Sequence, residues 1–159
     1  MDICIKLDNN RVFNYRTCAV IINDKKLLVL KDNHAEYYYL PGGRVQFGET
    51  AENALLRELK EELNIAPSIV RPLFINQSFF NEDAVKKDYH EICMYFLVDI
   101  SKTDILTRGS TFLGIETKKE QCFTWLSFDR VKNEYLYPLF IKERIDNLPS
   151  TIELITEIK

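Results

Sequence analysis

Apolar and polar positions change rhythm along the chain, and each change marks an element. Residues 2–7 and 11–22 alternate as strands, joined by the polar turn Asp8-Asn9-Asn10. The second ends in the apolar run Cys18-Ala19-Val20-Ile21-Ile22, which suits a strand covered on both faces. After the turn Asn23-Asp24-Lys25, residues 26–31 form a third strand rich in Leu and Val, and a meander is expected. Residues 69–80 and 90–98 read as two further strands, with the charged stretch NEDAVKKDY between them as a hairpin loop. A long polar connection covers 101–121, and a strand with Trp125 follows at 122–126. Ser127-Phe128-Asp129 caps a C-terminal helix, Pro138 opens a closing helix running to about Asn147, and the tail 150–159 suits an added edge strand.

The rhythm is helical only after Thr50, whose hydroxyl can accept from the free N–H groups of a first turn. Leu55, Leu56, Leu59 and Leu63 share one broad side when each residue advances about 100°. Glu58, Glu61 and Glu62 share a neighbouring arc of roughly 100°. Like charges one turn apart repel, so this crowding makes physical sense if a hard, oxygen-loving cation sits among them. A bare Glu-Glu pair would read as a solvated acidic face, but the surrounding pattern also needs an account. Gly43 is followed six positions on by Glu49, then by Arg57-Glu58-Leu59-Lys60-Glu61-Glu62 and Ile65.

That spacing resembles the Nudix box, the loop–helix–loop motif of the Nudix hydrolases. Asn64 stands where the family has glycine. Asparagine is the non-glycine residue best suited to the left-handed conformation that ends a helix, and Pro67 prevents the helix from resuming. The resemblance implies an α/β Nudix fold, a mixed β-sheet sandwiched between α-helices, with residues 1–159 as a single domain. It implies hydrolysis of a diphosphate linkage in a small nucleoside diphosphate derivative: a nucleoside triphosphate, a nucleotide-sugar or a dinucleotide. The implied cofactor is Mg2+, with Mn2+ as a substitute. Glu58, Glu61, Glu62 and the Gly42 carbonyl become the expected metal ligands, and Arg57 an orienting residue bonded back to Glu49. For the general base the resemblance points to Glu120, in the loop five residues before Trp125, with Glu116 in reserve, and failing these to a box glutamate, Glu61 first. A non-catalytic sensor of the same fold is the rival reading; such a protein would be expected to lose helix carboxylates, which this chain keeps.

Candidate substrate contacts are Gly43, Arg16, Tyr38 and His90. Arg16 borders a buried strand and suits either a phosphate or nucleobase contact or a surface ion pair. Tyr38 falls on the opposite face from Tyr37 and Tyr39, where it either stacks on a base or packs at the rim. His90 leads into a strand, as a border residue or a substrate contact at the sheet mouth. Composition adds exclusions. A net charge of −3 argues against a footprint for long nucleic acid, and no stretch approaches the ~20 apolar residues of a membrane span. MDICIKLDNN lacks the regions of a signal peptide, and Cys4, Cys18, Cys93 and Cys122 form no CxxC pair, so a cytoplasmic location is expected. The assembly stays open, with a homodimer as one form.

Overall fold

The computed structural model describes residues 1–159 except residues 84 and 117–119. Asp8 makes the first turn as its composition requires: Oδ1 accepts from the N–H of Asn10 at 2.9 Å and of Arg11 at 2.7 Å. It joins β1 (Cys4–Lys6) to β2 (Arg11–Val20) in an antiparallel pair. The expected meander stops there. Strands β3 (Ile22–Asn23) and β4 (Lys26–Lys31) leave for a second sheet, and short β5 (Gly42–Arg44) pairs back onto β2. The four consecutive apolar residues of β4 explain the departure. Leu28 and Leu30 enter one core cluster and Leu27 and Val29 the other, so this strand needs cover on both faces.

Helix α1 (Ala51–Leu63) is followed by the long antiparallel ribbon of β6 (Ser68–Glu82) and β7 (Lys87–Asp99). The charged stretch expected to be a loop is mostly strand, and residues 83, 85 and 86 are turn residues. Cross-strand pairs extend it: Phe80 stacks on Tyr89 at 5.0 Å, and Asn81 Nδ2 donates to Asp88 at 2.8 Å. The polar connection holds a 3-10 turn at Ile105–Arg108 and β8 (Thr111–Leu113), whose Phe112 stacks at 5.6 Å on Phe123 of β9 (Cys122–Ser127). Ser127 caps α2 (Phe128–Asn133) by accepting from Arg130 N at 3.3 Å. The closing helix is shorter than expected, a single turn α3 (Ile141–Arg144), because Pro138, Leu139 and Phe140 accept only three-residue-spaced bonds. The tail is the edge strand β10 (Glu153–Ile158), parallel to β6.

One sheet runs β1-β2-β7-β6-β10 with β5 on β2, and the other β3-β4-β9-β8. Leu55, Leu59 and Leu63 of α1 pack with Ala19, Phe96 and Phe123 on one side. Val131, Ile141 and Ile145 pack with Val20, Phe74 and Tyr95 on the other. The result is the α/β/α layering of the Nudix fold. Even-numbered residues of β2 and β6 and odd-numbered residues of β7 share the face away from α1, and beyond the second core this face stays open.

Candidate active site

Thr50 Oγ1 accepts from Asn53 N at 3.2 Å to start α1, and Asn64 ends it at φ 51°, ψ 43°, donating its N–H to Lys60 O at 2.9 Å. The helix is tied to the preceding loop by Arg57. Its guanidinium forks onto Glu49, with Nε to Oε1 at 2.8 Å and Nη2 to Oε2 at 3.1 Å. Nη2 also donates to the Arg44 carbonyl at 3.0 Å. Nη1 lies 2.8 Å from Glu58 Oε1 and 3.4 Å from Glu61 Oε2, so one nitrogen gathers both carboxylates. Hydrogen bonds from Arg57 hold Glu49 below the usual carboxylate pKa. Burial, opposed by Arg57 and reinforced by Glu61, raises that of Glu58.

The glycine turn fits against this cluster. A Cβ on Gly43 would stand 2.1 Å from the carboxyl carbon of Glu58, so only glycine admits that side chain. Ala19 N donates to Pro41 O at 2.8 Å and Val45 N to Tyr15 O at 3.0 Å. The intervening pairs Cys18–Gly42 and Arg16–Arg44 are therefore the non-hydrogen-bonded kind, and the Gly42 and Arg44 carbonyls point away from β2. Arg44's carbonyl meets Arg57; Gly42's is directed to the same side.

Glu62 turns inward and is buried, with Oε1 accepting from Gln121 Nε2 at 2.9 Å. The connection before β9 docks on the end of α1: Ile115 N donates to Glu62 O at 2.9 Å and Arg108 Nη1 to Leu63 O at 2.7 Å. Among the described residues of this connection, Gln121 reaches the box with its side chain, while Glu120 is exposed and Glu116 half-buried.

Glu62, Gly42 and Arg44 line one end of a cavity of about 810 Å³ that continues over the open sheet face. Arg16 lies on its floor; burial opposes its charge, but Glu91 and other neighbours outweigh that and its pKa is raised. Tyr38 does not line this cavity. Tyr37 and Tyr39 line the cavity, whereas Tyr38 packs on the second core with Lys31 Nζ 4.2 Å from its ring centre. The alternation was legible; which face carries the site was not. Nor does His90 line the cavity. It sits on the α1 side of β7, exposed between Phe79 at 4.3 Å and Phe13 at 5.5 Å, facing away from the cavity. Its neighbours Tyr89 and Glu91 face in. Sequence reasoning also missed Asn14, Asn76 and Glu157, whose parity within their strands was the available signal, and the approach of Cys18 and Cys93 to 3.6 Å.

Among the described residues no three His, Cys, Asp or Glu side chains are already gathered as a metal cluster, and no helix is long and apolar enough to cross a membrane. The donors nevertheless suit Mg2+. Glu58 and Glu61 converge on one cationic nitrogen, the Gly42 carbonyl is directed to their side, and Mg2+ takes few protein oxygens beside waters and substrate phosphates.

A helix carrying this carboxylate set, entered by a glycine turn and laid on a mixed sheet, defines the class. Residues 13–146 match the family model of the NUDIX domain, and the chain belongs to the NUDIX family. It is 30% identical over 113 residues to the mRNA-decapping protein D10 of Fowlpox virus (strain NVSL), covering 69% of this chain and 47% of that protein. It is 33% identical over 85 residues to the ADP-ribose pyrophosphatase of Methanocaldococcus jannaschii, covering 52% of this chain and 48% of that one. The chain thus spans about half the length of these curated relatives. A MutT protein of Methanosarcina mazei Go1 shares the fold at a TM-score of 0.56 and 24% identity, over 84% of this chain and 93% of that chain.

Proposed function

We propose that residues 1–159 act as one Nudix domain that hydrolyses the diphosphate linkage of a small nucleoside diphosphate derivative with Mg2+. One observation carries the reading: the box and the open cavity are continuous, since Gly42, Arg44 and Glu62 line the same space as Arg16 and the tyrosines. A relative named as an ADP-ribose pyrophosphatase supports the reaction class.

Glu58, Glu61, Glu62 and the Gly42 carbonyl are the groups that would hold Mg2+. When bound, the ion supplies the positive charge that neutralises the diphosphate oxygens. Arg57 fixes Glu58 and Glu61 through a guanidinium that Glu49 and the Arg44 carbonyl hold in place. Glu61, with its side chain 55% exposed, is the box carboxylate open to water and takes the proton of the attacking water. Arg16 contacts the substrate from the cavity floor.

The test is turnover of the purified chain on nucleoside triphosphates, ADP-ribose, a nucleotide-sugar and a dinucleoside polyphosphate. Hydrolysis that EDTA abolishes and Mg2+ restores is expected. Binding without turnover on any of them would instead favour the ligand-sensor reading.

A further inference from the structure

We infer that the cavity floor recognises the donor edge of guanine, an inference that rests on reading the chain as a nucleotide-binding Nudix domain. The floor is built by register. Asn14 of β2 stands opposite Glu91 of β7, which faces Ser78 of β6, which faces Glu157 of β10. The next row holds Arg16, Cys93 and Asn76. Asn14 Nδ2 donates to Glu91 Oε2 at 3.3 Å, and Asn76 Nδ2 donates to Glu157 Oε1 at 2.9 Å.

A carboxylate only accepts, so each pairing fixes its amide with the NH2 toward the glutamate and Oδ1 turned away. Both asparagines are 3% exposed, and neither Oδ1 has a hydrogen-bond partner among the described residues. Acceptors left this way at the floor of a cavity are completed by water or by a ligand that donates. The floor therefore presents two amide oxygens beside two carboxylates, with the Arg16 Nε donor in the next row, and suits a ligand that mainly donates. The nearby walls are aromatic: Tyr37 meets Tyr137 at 5.0 Å and Tyr135 at 5.6 Å, and Phe80 stacks on Tyr89. Aromatic faces of this kind suit a planar heterocycle.

The donor pattern selects among bases. Guanine carries N1–H and the N2 amino group side by side, matching the adjacent oxygens of one carboxylate. Adenine and cytosine place a ring acceptor beside their single amino group, which would face the carboxylate unfavourably. Uracil flanks its one N–H with carbonyls. Guanine O6, next to N1–H, needs a donor, and Arg16 Nε, one row from Glu91, is a buried donor without a partner among the described residues. Glu91, on the central strand, is the anchor for N1–H and N2.

Isothermal calorimetry with GMP, IMP and AMP on the full chain tests this without relying on turnover. GMP is expected to bind about tenfold or more tighter than IMP, which lacks the N2 amine, and tighter still than AMP. Glu91→Gln should bring the GMP-to-IMP ratio close to one, with thermal melting used to verify folding. Asn76→Ser should weaken GMP as an independent check should the first variant fail to fold. Absent GMP binding, or equal binding of the three monophosphates, overturns the inference even if the diphosphate panel is hydrolysed. Selective GMP binding with no hydrolysis of any diphosphate would overturn the proposed reaction and leave the base site standing.

Discussion

The two ends of the cavity are built in opposite ways. The carboxylate end comes from one contiguous segment: residues three and four apart on α1, a loop closing on Arg57, and a glycine turn that makes room for Glu58. The floor end is assembled from β2, β6, β7 and β10, with Asn14 and Glu91 separated by 77 positions and Asn76 and Glu157 by 81. At the first end one arginine gathers Glu49, Glu58 and Glu61 and leaves an excess of negative charge for a cation to meet. At the second, the buried acceptors Asn14 Oδ1 and Asn76 Oδ1 and the buried donor Arg16 Nε have no partner among the described residues. Chemistry common to a family can be carried by local geometry, whereas selectivity for one ligand rests on long-range register.

Removing charge from the local end should have the largest effect. Glu61→Gln keeps size and helix propensity but loses the charge that a hard cation and a proton acceptor both need. We expect kcat to fall about 10²–10⁴-fold with the melting temperature preserved, measured on whichever diphosphate proves to be the substrate. Undiminished turnover would break the assignment of this end to catalysis.

The seam between the two ends is sharpened by a pair of neighbouring variants. Gln121→Ala removes the donor to the buried Glu62 carboxylate, and a loss of about 1–3 kcal/mol is expected in urea unfolding. Glu120→Gln, exposed one residue earlier, should stay within about 0.5 kcal/mol and keep its kcat. The reverse ranking would mean that Glu120, not Gln121, is the residue serving the box.

The smallest effect concerns only the end of α1. Asn64 has φ 51°, a conformation strained for a β-branched residue, so Asn64→Val should destabilise by about 1 kcal/mol or more. Asn64→Gly should be tolerated or slightly stabilising. Thermal melts of the pair check this, and equal stabilities would show that the left-handed cap matters little.

What was legible in the chain follows the same division. Helix α1, its caps at Thr50 and Asn64, the Arg57–Glu49 tie and the bounds of β4 could all be read from residues close in sequence. The departure of β4 into a second sheet, strand β8 and the shortened closing helix were not legible. Each depends on which distant face is available to cover an apolar side. The site residues split likewise: Arg16 lies on the cavity floor, whereas Tyr38 and His90 face away from the cavity and Glu120 is exposed beside Gln121. Periodicity shows which residues share a face but not whether that face is the one that becomes a cavity. The sequence by itself determined the family, the carboxylate helix and its anchoring arginine, because helical spacing and caps are set by bonds spanning three or four residues. Only the tertiary structure decided that Gln121 meets Glu62 and that Asn14, Asn76, Glu91 and Glu157 share one floor. Strand register across sequence separations of up to 81 residues is set by packing of the whole sheet, which no local pattern encodes.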